Sequence, residues 1–170
     1  MTPAASAYLL LDLAGRPCAL SRASVREVLP LPHLHAPPAA GGPLAGFLNL
    51  SGAPVPVLDL ARLLGLRAGA EAAPDAAPAD AYSHVVLSAG GDLGLLVDRV
   101  VDLVQVPAED LRPVSDARTL NGCVEAEIAL GDRLVHVLSF ARIVTREEQA
   151  RLEALRLHAA ARLAALPAEA

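Results

Sequence analysis

Four pairs of side chains in this 170-residue sequence are of types that can do chemistry. His33 and His35 stand two residues apart in a Pro/Gly-rich stretch, so both could point to one side of an extended segment and ligate a metal. No Cys, Asp or Glu lies close by in sequence to complete a shell, which makes a solvated loop with two incidental histidines the plainer reading. Asp59 and Asp98 follow apolar runs, at strand ends where a catalytic carboxylate can sit. A strand-end Asp more often accepts main-chain N–H bonds in a turn. His84 and His136 stand separately inside short strand patterns, facing solvent or a neighbouring acid. Cys18 and Cys123 are isolated, and the default for such a pair is buried free thiols. Phosphate loops, Gly-x-Ser-x-Gly elbows and His-Glu-x-x-His helices are all missing from the sequence. These residues therefore predict a chain that is not an enzyme, with no catalytic residue, no metal and no cofactor.

Composition narrows the remaining classes. The chain is 54% hydrophobic but only 2% aromatic and has no Trp, so its core must be aliphatic. Aromatic anchors, the usual hot-spot residues, are scarce. Binding surfaces must then rely on Val, Leu and main chain. Net charge is −5 with the signs mixed along the chain. Without a basic stripe or an aromatic platform, nucleic acid is not an expected partner. No apolar run approaches the roughly 20 residues of a membrane span, and the first residues lack the pattern of a signal peptide. A cytoplasmic protein without membrane insertion is the expectation.

The elements that position these residues come in two copies. Pro54-Val-Pro-Val-Leu-Asp-Leu-Ala-Arg-Leu-Leu64 aligns with Leu134-Val-His-Val-Leu-Ser-Phe-Ala-Arg-Ile-Val144, with Val55/Val135, Val57/Val137, Leu58/Leu138, Ala61/Ala141 and Arg62/Arg142 identical. Each copy follows a strand led by glycine, Gly46 and Gly122. Upstream, Val25 pairs with Val100, Glu27 with Asp102, Val28 with Leu103 and Pro32 with Pro107. A duplication of this kind changes the expected architecture.

Each half reads as a hairpin, a third strand, a loop and a second hairpin. In the first half, Tyr8–Leu13 and Pro17–Leu20 flank a Gly15 turn; in the second, Ser83–Ser88 and Leu93–Val97 flank Ala89–Asp92. Pro54 and Pro56 lack an N–H, which places their strand at a sheet edge or barrel corner. An Ala/Pro/Gly-rich linker at about 67–82 divides the halves. About five short strands per half predict a mainly β protein of two small five-stranded barrels. Barrel closure would remove free strand edges. A C-terminal helix at 145–166 follows, with Thr145 as its cap, Pro167 as its stop and an apolar stripe at Leu152, Leu155, Ala159, Leu163 and Leu166. This stripe either docks on the barrels or meets a partner.

Over Tyr8 to about Val144 the sequence resembles a CheW-like domain, the adaptor fold of bacterial chemosensory arrays. The matching blocks are Val25-Arg-Glu-Val28, Gly46-Phe-Leu-Asn-Leu-Ser-Gly52, Val55-Pro-Val-Leu-Asp-Leu60 and Leu95-Leu-Val-Asp-Arg-Val100. The resemblance implies a CheW-like domain at 1–144 made of two SH3-like barrels that share a hydrophobic seam. It also implies a non-catalytic adaptor that couples a methyl-accepting receptor to the regulatory domain of a CheA-type histidine kinase, at membrane-associated receptor arrays. Carried over block by block, the implied receptor- or kinase-binding residues are Val25, Glu27, Val28, Asn49, Ser51, Gly52, Val97, Asp98 and Val101. Self-association through the barrels or the C-terminal helix is a further expected contact. Where the family block reads Asn-Leu-Arg-Gly, this chain has Ser51, which cannot make the bidentate or cation–π contacts of a guanidinium. That departure fits a divergent scaffold of a non-motility pathway, such as pili or surface sensing. The reading from a different class is a small-ligand or metal-binding β-domain that uses the inter-barrel groove or His33 and His35.

Overall fold

The computed structural model describes residues 4–35, 43–66, 82–114, 123–143 and 146–166. The linker expected at 67–82 is described only from Tyr82. The Asn121-Gly122 turn, the Thr145 cap and the Pro167 stop lie outside the described residues. Strands dominate. They are β1 (Ala5–Leu13), β2 (Arg16–Ser21), β3 (Val25–Pro30), β4 (Leu44–Leu50), β5 (Ala53–Asp59), β6 (His84–Ser88), β7 (Gly94–Val97), β8 (Arg99–Pro107), β9 (Leu111–Pro113), β10 (Val124–Leu130) and β11 (Arg133–Leu138). Among the described residues, the short helices α1 (Leu60–Leu63) and α2 (Phe140–Ile143) each follow a strand, and the longer α3 (Arg146–Ala165) comes after α2.

The strands form two sheets, ordered β8-β1-β2-β11-β10-β9 and β3-β6-β7-β5-β4. The sheets do not follow the sequence halves. The β1–β2 hairpin of the first half sits among strands of the second, between β8 and β11. The β6–β7 hairpin of the second half sits between β3 and β5 of the first. One sheet gains a sixth strand from the three residues of β9. Among the described residues both hydrogen-bonded orders are open-ended, so strand edges survive where closure was expected to remove them.

The duplication reaches the irregularities of the ladders. β3 skips a register step between Val25 and Glu27, and β8 skips one opposite Leu10/Leu11, leaving Arg26 and Val101 as equivalent bulge residues. β4 and β10 likewise skip at Ala45 and Glu125. Both exchanged hairpins meet their hosts in parallel, Leu58 against Leu95 in one sheet and Leu138 against Leu20 in the other. An extra residue bends a strand and raises its twist, as a short sheet must do to curl.

Side-chain alternation then sorts the core into three masses. Val55 and Val57 point into a cluster with Leu48, Val85 and Leu87 inside the five-stranded sheet. Val135 and Val137 do the same beside Tyr8, Val106 and Ile128 inside the six-stranded one. The next residue of each copy, Leu58 or Leu138, faces the opposite way. Both enter a larger shared cluster with Leu11, Leu13, Leu20, Leu60, Leu95 and Val97. Period-2 alternation thus gives each Val-Leu pair one barrel core and one common seam.

Two local outcomes refine the sequence reading. β5 is an interior strand, flanked by β7 and β4, although it carries Pro54 and Pro56. Its pairing with β7 begins only at Val57, so both prolines precede the stretch that needs donors on two sides. Gly46 has φ +151°, and a Cβ there would lie 3.1 Å from the His35 carbonyl oxygen and from the Leu34 Cβ. Gly46→Ala is expected to lower stability by about 1–3 kcal/mol, read as a shift of the urea midpoint without a change of slope.

The helix α3 lies on β5. Leu152 and Leu155 pack against the shared cluster, and Ala159 is buried in it. Leu163 is half-buried, whereas Leu166 at the end of the stripe is exposed.

Candidate docking surface

Most of the chemistry-bearing pairs serve the fold. Asp59 caps α1, its Oδ1 accepting the Arg62 N–H at 3.1 Å. Asp98 Oδ2 accepts the Ala14 N–H at 2.7 Å, tying the β1–β2 turn to the corner before β8. His136 Nδ1 lies 3.5 Å from Glu127 Oε1 across the β10–β11 ladder. The rings of His33 and His35 meet edge to face at 4.8 Å. Among the described residues, no group of three or more His, Cys, Asp or Glu is placed to hold a metal ion. Cys18 and Cys123 are both buried free thiols, and Cys123 Sγ donates to the Arg142 carbonyl at 3.2 Å.

Burial pushes the Cys18 thiol up to about 11. The folded state therefore holds a proton that the unfolded chain loses first. Stability is full below the ordinary thiol value and falls as pH rises through the window from about 9 to about 11. At pH 8, native Cys18 is expected to resist iodoacetamide for as long as the chain stays folded, because the thiolate is the nucleophile. Mass spectrometry of the native and urea-unfolded chain checks this.

A cavity of about 350 Å³ opens near Ser21, Ser24, Ser88, Glu125 and Ser139, where β2 leads into β3. Two of its hydroxyls are already committed: Ser24 Oγ donates to the Ser21 carbonyl and Ser88 Oγ to Asp92 Oδ1, at 2.7 and 2.8 Å. Such internal pairing leaves those hydroxyls little capacity to donate to a small ligand.

The nine residues carried over from the blocks fall in three places. Val25, Glu27 and Val28 lie on β3, an edge strand that among the described residues pairs only with β6. Val25 is buried, Val28 is half-buried and Glu27 is exposed. Asn49, Ser51 and Gly52 form the β4–β5 turn. Ser51 and Gly52 both have positive φ, 51° and 88°, the pattern of a two-residue type I′ hairpin loop. Asn49 Oδ1 accepts the Gly52 N–H at 2.8 Å, which fixes the turn and leaves the Ser51 side chain exposed at its tip. Val97, Asp98 and Val101 lie at the β7–β8 corner. Val97 is fully buried in the seam, Asp98 is half-buried and Val101 is 58% exposed. The seam brings Val25, Val28 and Val97 into one cluster. The turn at Asn49–Gly52 is instead brought beside α3, where Asn49 lines a cleft with Arg162 and Leu166.

One surface residue was missed. Leu103, 51% exposed on β8, stands two residues beyond Val101 on the outer edge of the six-stranded sheet. An edge strand presents unpaired N–H and C=O groups, and two large aliphatic side chains beside them make an apolar template for another strand. The equivalent edge, β3, carries Arg26 and the half-buried Val28 at these positions. The duplication therefore supplies two edges of like geometry and unlike chemistry.

A duplicated pair of exchanged β-barrels, with its carboxylates used as caps and staples and its exposed aliphatic residues on a strand edge, defines a two-barrel β domain of SH3-like class. The family model described as the CheW-like domain matches residues 7–148, and the chain belongs to that family. A probable chemotaxis protein CheW of Rhizobium etli is 32% identical over 112 residues, 64% of each chain, so the match spans just under two thirds of that relative's length. The crystal structure of the scaffolding protein TtCheW from Thermoanaerobacter tengcongensis superposes with a TM-score of 0.71. That superposition covers 84% of this chain and 90% of the other, at 20% identity, and shows a shared fold.

Proposed function

We propose that this protein is a non-catalytic adaptor that couples a methyl-accepting receptor to the regulatory domain of a CheA-type histidine kinase. Membership of the CheW-like family supports the class. The single observation that carries the docking mode is the β8 edge with its exposed Val101 and Leu103. Main-chain bonds to a partner strand give affinity there, and the two aliphatic side chains set the register. The half-buried Asp98 beside this edge is held by the Ala14 N–H and keeps the corner in place. Glu27 and Val28 on β3 and Ser51 at the turn tip offer the surface for the receptor. The adaptor acts by binding one kinase state more tightly than the other, since only differential affinity shifts an equilibrium. Its place is the cytoplasmic face of a receptor array.

Reconstitution tests this reading. Receptor-bearing vesicles and the kinase, mixed with this protein, should show autophosphorylation that responds to receptor ligand. A response identical with and without the protein rejects the coupling role.

A second reading, an array serving pili or surface sensing, is favoured by one feature. Ser51 places a short hydroxyl where the resembled block carries arginine, at the tip of a rigid turn. Cells lacking the protein would then lose surface motility while swimming normally.

A further inference from the structure

We propose that the cleft between the end of α3 and the β4–β5 hairpin is a socket for an apolar side chain flanked by a carboxylate, presented by a partner protein. This rests on the adaptor reading only in taking the partner to be a protein. The cleft holds about 270 Å³. An apolar cavity of about 150 Å³ accepts a benzene ring, so there is room for one large side chain and the group beside it. Its walls are aliphatic and aromatic: Phe47, Leu48 and Pro54 from the sheet, Leu163 and Leu166 from α3. Leu166 is 64% exposed, among the most exposed large apolar residues described.

The floor is stiff. Phe47 pairs with Pro56 of β5 on one side, and its N–H and C=O bond the His35 backbone on the other at 2.9 and 2.8 Å. Its position does not need to be created by a ligand, which keeps the ordering cost of binding low.

Charge decides the occupant. Among the described residues of the lining, the polar ones are His35, Asn49 and Arg162, and no carboxylate is among them, although the chain as a whole carries −5. Asn49 Oδ1 is occupied by the Gly52 N–H. Arg162 is exposed and has no ion-pair partner among the described residues. A guanidinium offers a planar fork that matches a carboxylate with two parallel bonds. An apolar group alone would be met equally well by the walls of many clefts; Arg162 is what selects an acidic neighbour. The socket also adjoins the Asn49–Gly52 turn, so a partner seated there would extend over the Ser51 tip.

The test uses the full chain, ¹⁵N-labelled, titrated with two helical twelve-residue alanine-based peptides. Each bears one leucine, flanked by glutamate in one peptide and by lysine in the other. The glutamate peptide should bind about five- to tenfold tighter, the scale of one charge-assisted pair. Its shifts should fall on Phe47, Leu163 and Leu166. Arg162→Glu should invert the preference and Arg162→Gln should erase it, both with unchanged circular dichroism because the side chain is exposed. Equal binding of the two peptides, shifts outside the cleft, or a preference that survives Arg162→Glu would overturn the proposal. An adaptor that fails to couple a kinase would leave these peptide results untouched, so the two failures are separable.

Discussion

Cutting the backbone within residues 67–81 is expected to give two fragments that are unfolded apart and native together. The reason is the exchange of hairpins. In the first fragment β3 loses β6, its only neighbour among the described strands, while β1 and β2 keep each other but lose β8 and β11. In the second, β6 and β7 stay paired with nothing on either side, and β8 loses β1. The shared seam divides as well. Leu11, Leu13, Leu20, Leu58 and Leu60 go with one fragment, Leu95, Val97, Leu138 and Ile143 with the other. A two-stranded hairpin is at best marginal in water. Native domains have only about 5–15 kcal/mol in hand, far less than a divided core removes. Circular dichroism and ¹H–¹⁵N spectra of each fragment should show unfolded chains, and a 1:1 mixture should restore the spectrum of the intact protein. A separate cooperative melt for either fragment alone would mean that each half builds its own barrel, contrary to the topology.

That contrast marks what the sequence made legible. The duplication was visible because Val55-Pro-Val-Leu58 and Val135-His-Val-Leu138 repeat a pattern of faces, and the structure places both copies in equivalent roles. The exchange was not visible, because alternation says which side chains face inward and not which strand lies alongside. The β1–β2 hairpin satisfies the same pattern beside its own half or the other. Asp59 was readable as a local cap, since its partner is three residues away. The partner of Asp98 lies 84 residues away at Ala14, beyond any local rule. β9 was hidden because its three residues, Leu111–Pro113, are too few to show an alternation. Leu103 was hidden for a related reason. Along β8 apolar residues stand on both faces, Val104 and Val106 inward and Val101 and Leu103 outward, so apolar type alone does not tell which residues stand outside.

The β8 edge at Val101 and Leu103 is also where surface changes should cost function most. In the reconstituted kinase assay, the pair Val101→Asp and Leu103→Asp is expected to weaken coupling about 100-fold or more. Burying the exposed half of each side chain at an interface contributes about 0.7–1.5 kcal/mol, so the two together reach about 1.5–3 kcal/mol, on the scale of the roughly 2.7 kcal/mol that a hundredfold requires. Each new carboxylate adds a desolvation cost against a docked strand. The fold should tolerate both changes, because these side chains are already 58% and 51% exposed and the β8 ladder to β1 uses main-chain bonds. An unchanged melting temperature would show this. Leu157→Glu supplies the control for added surface charge, since Leu157 is 62% exposed on α3 and belongs to neither the strand edge nor the cleft. Arg26→Glu then tests whether the two equivalent edges share one partner. If β3 and β8 dock the same surface, reversing the charge at the β3 bulge should weaken kinase coupling as the β8 pair does. If the edges have diverged with their chemistry, kinase binding should hold while receptor binding falls. Full coupling by the β8 pair would instead show that this edge is solvent-facing in the assembled array, and that docking belongs to other surfaces of the two barrels.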